Sequence, residues 1–270
     1  MRCISYIKSL SRDLRAAIYG YNIKSKVSLL FFRAILRPVL GKGSWLRKIA
    51  DLMCRGSIIQ VYGVRYVLAD MDSAGVVLPD YEKQMWRYLK PKEGDVFIDV
   101  GAHVGKYALR VAKIVGEQGL VIAIEPHPDN YRALIQGIQL NNLKNVIPLN
   151  IAAYDKECEL KLYIAPVATM HTVTHNLGRG YIKVRARPLD DVLRDIGIRR
   201  VDWVKIDVEG AELKVLRGLR ATLKEQHPRL IIETWPENRS QILDFMKKYN
   251  YKAHVMEGLG VKHLEYIYFT

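Results

Sequence analysis

Six carboxylates in this chain, Asp99, Glu125, Asp207, Glu209, Glu212 and Glu233, stand at or just past the end of a short apolar run. The first belongs to Asp95-Val-Phe-Ile-Asp-Val-Gly-Ala-His-Val-Gly105. Val96, Phe97, Ile98 and Val100, bounded by Gly94 and Gly101, read as a strand buried on both faces. After Gly105 the apolar residues Tyr107, Ala108, Val111, Ala112, Ile114 and Val115 recur at helical spacing. The unit is strand, glycine turn, helix. Gly101 lets the backbone turn sharply against a ligand, and Gly105 lets the helix pack close to the strand.

The spacing excludes a dinucleotide. That fingerprint needs three glycines and seats a pyrophosphate on the helix N-terminus, whereas His103 stands at the second glycine position and Asp99 would repel a diphosphate. An acid there suits a ligand ammonium. The next strand, Leu120-Val-Ile-Ala-Ile124, ends in Glu125, about twenty residues past Gly105, where a ribose-binding acid is expected. Ammonium at one end and nucleoside ribose at the other describe S-adenosylmethionine. Ala102 and His103 in the turn, and Pro126 after Glu125, complete the expected cofactor contacts on this side.

The second dense stretch is Val201-Asp-Trp-Val-Lys-Ile-Asp-Val-Glu-Gly-Ala-Glu212. It reads as a buried strand ending in Asp207, with Glu209, Gly210 and Glu212 turning into a helix over 213–219. Methyl transfer from a sulfonium is a direct displacement, so the protein must align an acceptor oxygen or nitrogen and take its proton. Asp207 is the expected base and Glu209 the residue that orients the acceptor. The competing reading is that Glu209 and Glu212 only cap the helix. So many acids at one crevice require cations, hydrogen bonds or partial protonation. Carboxylates suit Mg²⁺, but no ligand set closes, so no metal is expected.

The elements that position these groups alternate between strand and helix. A β-hairpin is expected over 57–70 around Gly63, and a helix over 79–90 whose first turn places Glu82 near the methionine end of the cofactor. Another helix runs over 129–140, and a third strand over 146–151 leads to Ala152 and Ala153. Small residues there leave room for an adenine ring, whose edge Asn150 or Asp155 could bond. A hairpin over 159–165 and 181–187 carries a long polar connection with His171, Thr172, Thr174, His175 and Asn176, a loop of functional length. A strand over 229–235 with Glu233, a helix over 236–248 and two terminal strands, the last antiparallel, close a mostly parallel sheet with helices on both faces.

At 270 residues with 49% hydrophobic residues the chain can bury a full core, but its net charge of +14 is uneven. Residues 1–56 hold twelve Lys and Arg against Asp13 and Asp51. This segment reads as helices broken by Pro38, Gly41 and Gly43. Two readings stand for it: a surface that meets RNA or anionic lipid, or a helical cap with solvated lysines and arginines. The organisation expected is a basic helical segment over 1–55, a hairpin and helix over 56–94, and the main domain over 95–270. Cys3, Cys54 and Cys158 share no metal or redox spacing, the apolar stretch over 27–40 is too short to span a bilayer, and no signal peptide is recognised, so the expected location is cytoplasmic.

Val96-Phe-Ile-Asp-Val-Gly-Ala-His-Val-Gly105 together with Val204-Lys-Ile-Asp-Val-Glu-Gly-Ala-Glu212 resembles the FkbM-type family of S-adenosylmethionine-dependent methyltransferases. The likeness covers roughly residues 95–235. It implies the class I methyltransferase fold, Rossmann-like and seven-stranded, and O-methylation of a hydroxyl on a sugar, glycolipid or natural product. By the same resemblance Asp99, Gly101, Gly105 and Glu125 fall on cofactor positions, and Asp207 and Glu209 on the acceptor side. His103 stands where the family commonly has Asn. The basic segment lies outside the resemblance; an RNA methyltransferase docking through it is the alternative reading, and a non-catalytic scaffold that kept the fold is disfavoured by the converging acids.

Overall fold

The computed structural model describes residues 11, 13–36, 45–165, 171–177, 180–257 and 264–270. The first hairpin is β1 (Ile58–Val61) and β2 (Val64–Val67), antiparallel. Tyr62 and Gly63 both have positive φ, the tight turn whose twist matches a two-residue hairpin.

Seven strands form the central sheet: β3 (Val96–Val100), β4 (Leu120–Ile124), β5 (Val146–Leu149), β9 (Trp203–Ile206), β10 (Arg229–Thr234), β11 (Ala253–Val255) and β12 (Glu265–Phe269). Their spatial order is β11-β12-β10-β9-β3-β4-β5. All neighbouring pairs are parallel except those made by β12, which runs antiparallel to both β10 and β11. This is the class I methyltransferase-like sheet. The inner strands are apolar because helices cover both faces: Phe97, Ile98, Val121, Ile122, Val204, Ile206, Leu230 and Ile232 are all buried. From β5 the chain returns to the far side of β3, so strand order reverses between β3 and β9. That reversal opens a crevice at their carboxyl ends.

A smaller sheet lies beside it, with β6 (Ala152–Ala153) parallel to β8 (Tyr181–Arg187), and β7 (Cys158–Tyr163) antiparallel to β8. The expected third strand thus stops at Leu149, and the two alanines beyond it pair in this second sheet.

The helix expected over 79–90 is a single 3₁₀ element, Lys83–Arg87. Glu82, at its entry, adopts the left-handed region with φ 51°. Glu82 is turned inward by donors from Lys106, Tyr107 and Tyr266, and that pull overrides the local helical preference. The helix expected over 213–219 runs over Glu212–Arg217, and a second short helix, Arg220–Glu225, follows it.

In the N-terminal region the helices are Ile23–Ser28, Leu29–Leu36 and Trp45–Cys54, the middle one wound with a wider turn, and residues 13–18 before them are helical too. Asn22 caps the first, its Oδ1 accepting from Ser25 N at 2.9 Å. Arg33 is 1% exposed and paired with equally buried Asp13 at 3.1 Å, while its guanidinium also donates to the Met71 carbonyl. The expected breaks at Pro38, Gly41 and Gly43 lie outside the described residues. No helix among the described residues is long and apolar enough to cross a membrane.

Candidate functional site

The crevice between β3 and β9 opens into a cavity of about 450 Å³, within the range of small-molecule sites. Gly101, at φ 81°, closes its floor: a Cβ there would run into the Asp207 carbonyl oxygen, so only glycine permits the two strand ends to meet. The approach is fixed by Asp207 N donating to Val100 O at 3.0 Å and Gly101 N donating to Ile124 O at 3.0 Å. Gly105 does a different job. A Cβ on it would press on Leu109 and Leu134, so it serves helix packing rather than the cavity wall.

Of the candidate residues, Glu82, Gly101, Ala102, His103, Glu125, Pro126, Ala153, Asp207 and Glu209 line this one cavity, joined by Glu233. Asp99, Gly105 and Asn150 do not line it. Asp99 is fully buried; its Oδ2 accepts from Ala108 N at 2.9 Å, holding the start of the helix Ala108–Val115. The ammonium expected beside Asp99 is present, but it is the protein's own: Lys205 Nζ lies 3.8 Å from Asp99 Oδ1. Asn150 donates to the carbonyls of Glu125 and Pro126 at 2.8 and 3.0 Å, which fixes the loop after β4. Asp155 is held by Lys214 at 2.9 Å. Neither residue lines the cavity.

Glu125 is 5% exposed. Its Oε2 accepts from His103 N and its Oε1 from His127 N, each at 2.8 Å, with Asn130 Nδ2 at 3.4 Å from Oε1. The carboxylate therefore ties the glycine turn to the β4 loop, and its remaining acceptor sites are what a ribose diol requires. Burial pushes its acid up to about 7, against the three amide bonds. Ala153, Leu162, Val173 and the His171 ring add a flat, mostly apolar wall. His171 stacks on His127 with centroids 4.4 Å apart, and burial pushes it down to about 3, so it is a neutral ring. Buried between these walls, His103 is also shifted down, and neither ring nitrogen has a hydrogen-bond partner.

At the other end, Glu82 accepts from Lys106 Nζ at 2.8 Å and Tyr107 OH at 2.6 Å on Oε2, and from Tyr266 OH at 2.7 Å on Oε1. Burial opposes its charge, but Lys106 and these bonds prevail, and its acid falls below the usual range. One acceptor site on Oε1 is left, enough for one donor of a ligand ammonium. These residues fit a cofactor that carries an ammonium and a nucleoside.

Asp207 makes its closest bond to Lys205 Nζ, at 2.9 Å. Burial disfavours its ionisation; Lys205 and a hydrogen bond from Glu233 outweigh that and keep it charged. Burial, and then the Asp207 charge, push Glu233 far up, so it carries the proton of the pair. Asp207, Glu209 and Glu233 bring carboxylate oxygens within 4.8 Å of one another; the cation that compensates them here is Lys205.

Glu209 differs from its neighbours. Its backbone sits at φ 53°, a strained conformation for a side chain of its size. Its carbonyl accepts from Thr172 Oγ1 at 2.6 Å and Thr174 Oγ1 at 3.3 Å, so the polar connection between β7 and β8 is what holds the turn. Its Oε2 is buried with no hydrogen-bond partner. Burial and the adjacent Asp207 push its acid up to about 8. Glu212 instead folds back: Gly210 N donates to its Oε1 at 2.7 Å and Asn238 Nδ2 to its Oε2 at 3.2 Å. Glu212 therefore braces the turn ahead of the helix it begins, which has no side-chain cap.

Sequence reasoning did not single out Lys205, Lys106, Tyr107 or Tyr266. A lysine in Trp203-Val-Lys-Ile206, the middle of a run buried on both faces, was the available signal, since such a position is filled by Lys only when a carboxylate waits for it.

The chain resembles known proteins in the same region. Hexuronic acid methyltransferase AglP of Haloferax volcanii is 25% identical over 169 residues, 62% of this chain and 64% of that protein. Methyltransferase sdnD of Sordaria araneosa is 30% identical over 172 residues, 51% of this chain and 65% of the relative. The chain thus spans slightly less than two thirds of these relatives. The crystal structure of methyltransferase FkbM from Methylobacillus flagellatus superposes with a TM-score of 0.51 at 15% identity, over 99% of this chain and 60% of that one, which is a likeness of fold. Residues 99–253 match the Methyltransferase FkbM domain, and with the glycine floor, the acid at the end of β4 and the carboxylates after β9 all inside that span, the chain belongs to this family of S-adenosylmethionine-dependent methyltransferases.

Proposed function

We propose that the protein transfers a methyl group from S-adenosylmethionine to a hydroxyl of a sugar or natural product, with Glu209 taking the hydroxyl proton. The observation that carries this reading is the state of Glu209: a buried carboxyl with an unpartnered oxygen, poised near pH 8 and facing a cofactor-sized cavity. A base is most effective when its pKa lies near the working pH. Asp207 is the weaker choice, because Lys205 and Glu233 stabilise its anion and lower its basicity. The roles expected from sequence are thereby exchanged: Asp207 positions Lys205 and Glu233, and Glu209 moves the proton. A carboxylate acceptor would need no base, so an aimed, neutral-range acid favours an O–H.

When bound, the cofactor would supply an electrophilic methyl on a sulfonium to the acceptor oxygen. Glu125 and the small residues after β5 hold the nucleoside end, and Glu82 the ammonium end. Gly101 and Asp207 bring the acceptor side within reach. The strained Glu209 turn, held by Thr172 and Thr174, would bring its carboxyl to an acceptor hydroxyl bound in the cavity.

Support for the acceptor class comes from the relative named hexuronic acid methyltransferase AglP. The test is transfer of tritiated methyl to a panel of uronic-acid glycans, neutral glycosides and hydroxylated terpenoids. Alkali-stable label supports an ether. Alkali-labile label means ester formation on a carboxylate, and no label in any acceptor would refute the reading.

A further inference from the structure

Eleven of the sixteen exposed large hydrophobic side chains among the described residues lie between Leu14 and Met53. Ile23 is 81% exposed, Leu52 61% and Val27 60%. The helices that carry them are well anchored on their other sides. Ser25, Ser28 and Leu29 are buried, as are Ala50 and Cys54, and Ser28 Oγ donates to Met53 O at 2.8 Å, joining the first helix to the end of the third. The exposed residues therefore lie on outward faces of packed helices, Ile23, Val27 and Leu30 on the first two and Leu46, Ile49 and Leu52 on the third, not on an unfolded strip. Arg15 pairs with Asp80 at 3.1 Å, and Asp80 lines the cavity, so this layer reaches the cavity rim.

The charge around that surface has one sign. Lys24, Lys26 and Lys48 are exposed, while the segment's two acids are Asp13, buried against Arg33, and Asp51, half-buried. We infer that this face docks the protein on an anionic lipid bilayer. Nucleic acid has no use for Ile23, Val27 and Leu52 in water-exposed positions. A second copy meeting this face through a two-fold axis would set lysines against lysines. Anionic headgroups with acyl chains beneath them satisfy both features at once: lysines at the headgroup level and aliphatic side chains in the boundary below. The inference stands independently of the acceptor proposed above.

The test is co-sedimentation of the full chain with phosphatidylcholine vesicles with and without about 30% phosphatidylglycerol, a range in which polybasic surfaces respond. The chain is expected to pellet with the anionic vesicles and not with the neutral ones. Lys24→Ser and Lys26→Ser should each weaken binding about fivefold. The charge-neutral combination Ile23→Ser, Val27→Ser and Leu52→Ser should weaken it about tenfold or more, with S-adenosylmethionine binding retained as the check of folding. Unchanged pelleting of that combination would reduce the effect to adsorption of a basic protein and overturn the inference. Failure of the wild type to pellet, with the chain dimeric or retained on RNA instead, would also overturn it.

Discussion

Lys205 Nζ stands 2.9 Å from Asp207 Oδ2, at 2% exposure, with Asp99 Oδ1 on its other side at 3.8 Å. One ammonium thus lies against both acids that end β3 and β9, the two strands whose divergence opens the cavity. Both acids and the lysine come from strands that pair in register, Asp99 opposite Lys205. The sheet itself builds the charge pair.

Removing this cation leaves the buried carboxylate of Asp99 and the partly buried one of Asp207 without it. Lys205→Met is expected to lower folding stability by about 3–5 kcal/mol, the usual cost of breaking a buried pair. Urea denaturation measures it. Adding Asp207→Asn to the same chain should recover part of the loss; no recovery would show that packing, not charge, explains the defect.

Gly101→Ala is expected to damage both fold and cofactor site. Its positive φ costs about 1–3 kcal/mol for a residue with a Cβ, and that Cβ has the Asp207 carbonyl in its path. Thermal melting should fall, and calorimetric S-adenosylmethionine affinity should fall with it. Gly63→Ala, where a Cβ meets open space, is the control: its positive φ costs stability, but affinity should be retained.

The fold was legible wherever local pattern and tertiary demand agree. The runs over 96–100, 120–124 and 203–206 are apolar because helices cover both faces of their sheet, and the strands lie where those runs predict. The glycine turn was legible because Gly101 meets a backbone atom that no side chain could tolerate. Two kinds of information were not local. Glu82 was expected at the start of a helix, but its conformation is set by Lys106, Tyr107 and Tyr266, the last 184 residues away. Asp207 and Glu209 were recognised as acids of one crevice, yet their relative basicity depends on which of them Lys205 contacts, and spacing along one strand end does not say.

Glu125 gives a pH signature in the unliganded protein. Its acid is near 4.5 when unperturbed and about 7 when folded. The folded chain holds this proton where the unfolded chain has released it, so the stabilisation is complete below pH 4.5 and is lost as pH rises through 7. The stability difference between wild type and Glu125→Gln should therefore fall across that window, by roughly 3 kcal/mol for a shift of this size. Chemical denaturation at pH 4.5, 6 and 7.5 reads it, and a difference independent of pH would contradict the assignment.

His171, on the loop between β7 and β8, forms part of the apolar cavity wall, its Nδ1 accepting from Ala165 N at 3.0 Å. His171→Leu keeps the apolar wall and is expected to change turnover less than tenfold, since a ring held neutral is not a proton carrier. A loss of more than about a hundredfold, the scale of general-base catalysis, would make His171 a participant.

The most direct test of Glu209 as proton acceptor is the pH dependence of kcat/KM for methyl transfer, wild type against Glu209→Gln. The wild-type rate should climb tenfold per pH unit below about 8 and level above it, because the base must be ionised. Glu209→Gln should bind S-adenosylmethionine normally, lose about a hundredfold or more in kcat, and lose the ascending limb. A variant that keeps both the limb and the rate would contradict the assignment and return the proton to Asp207.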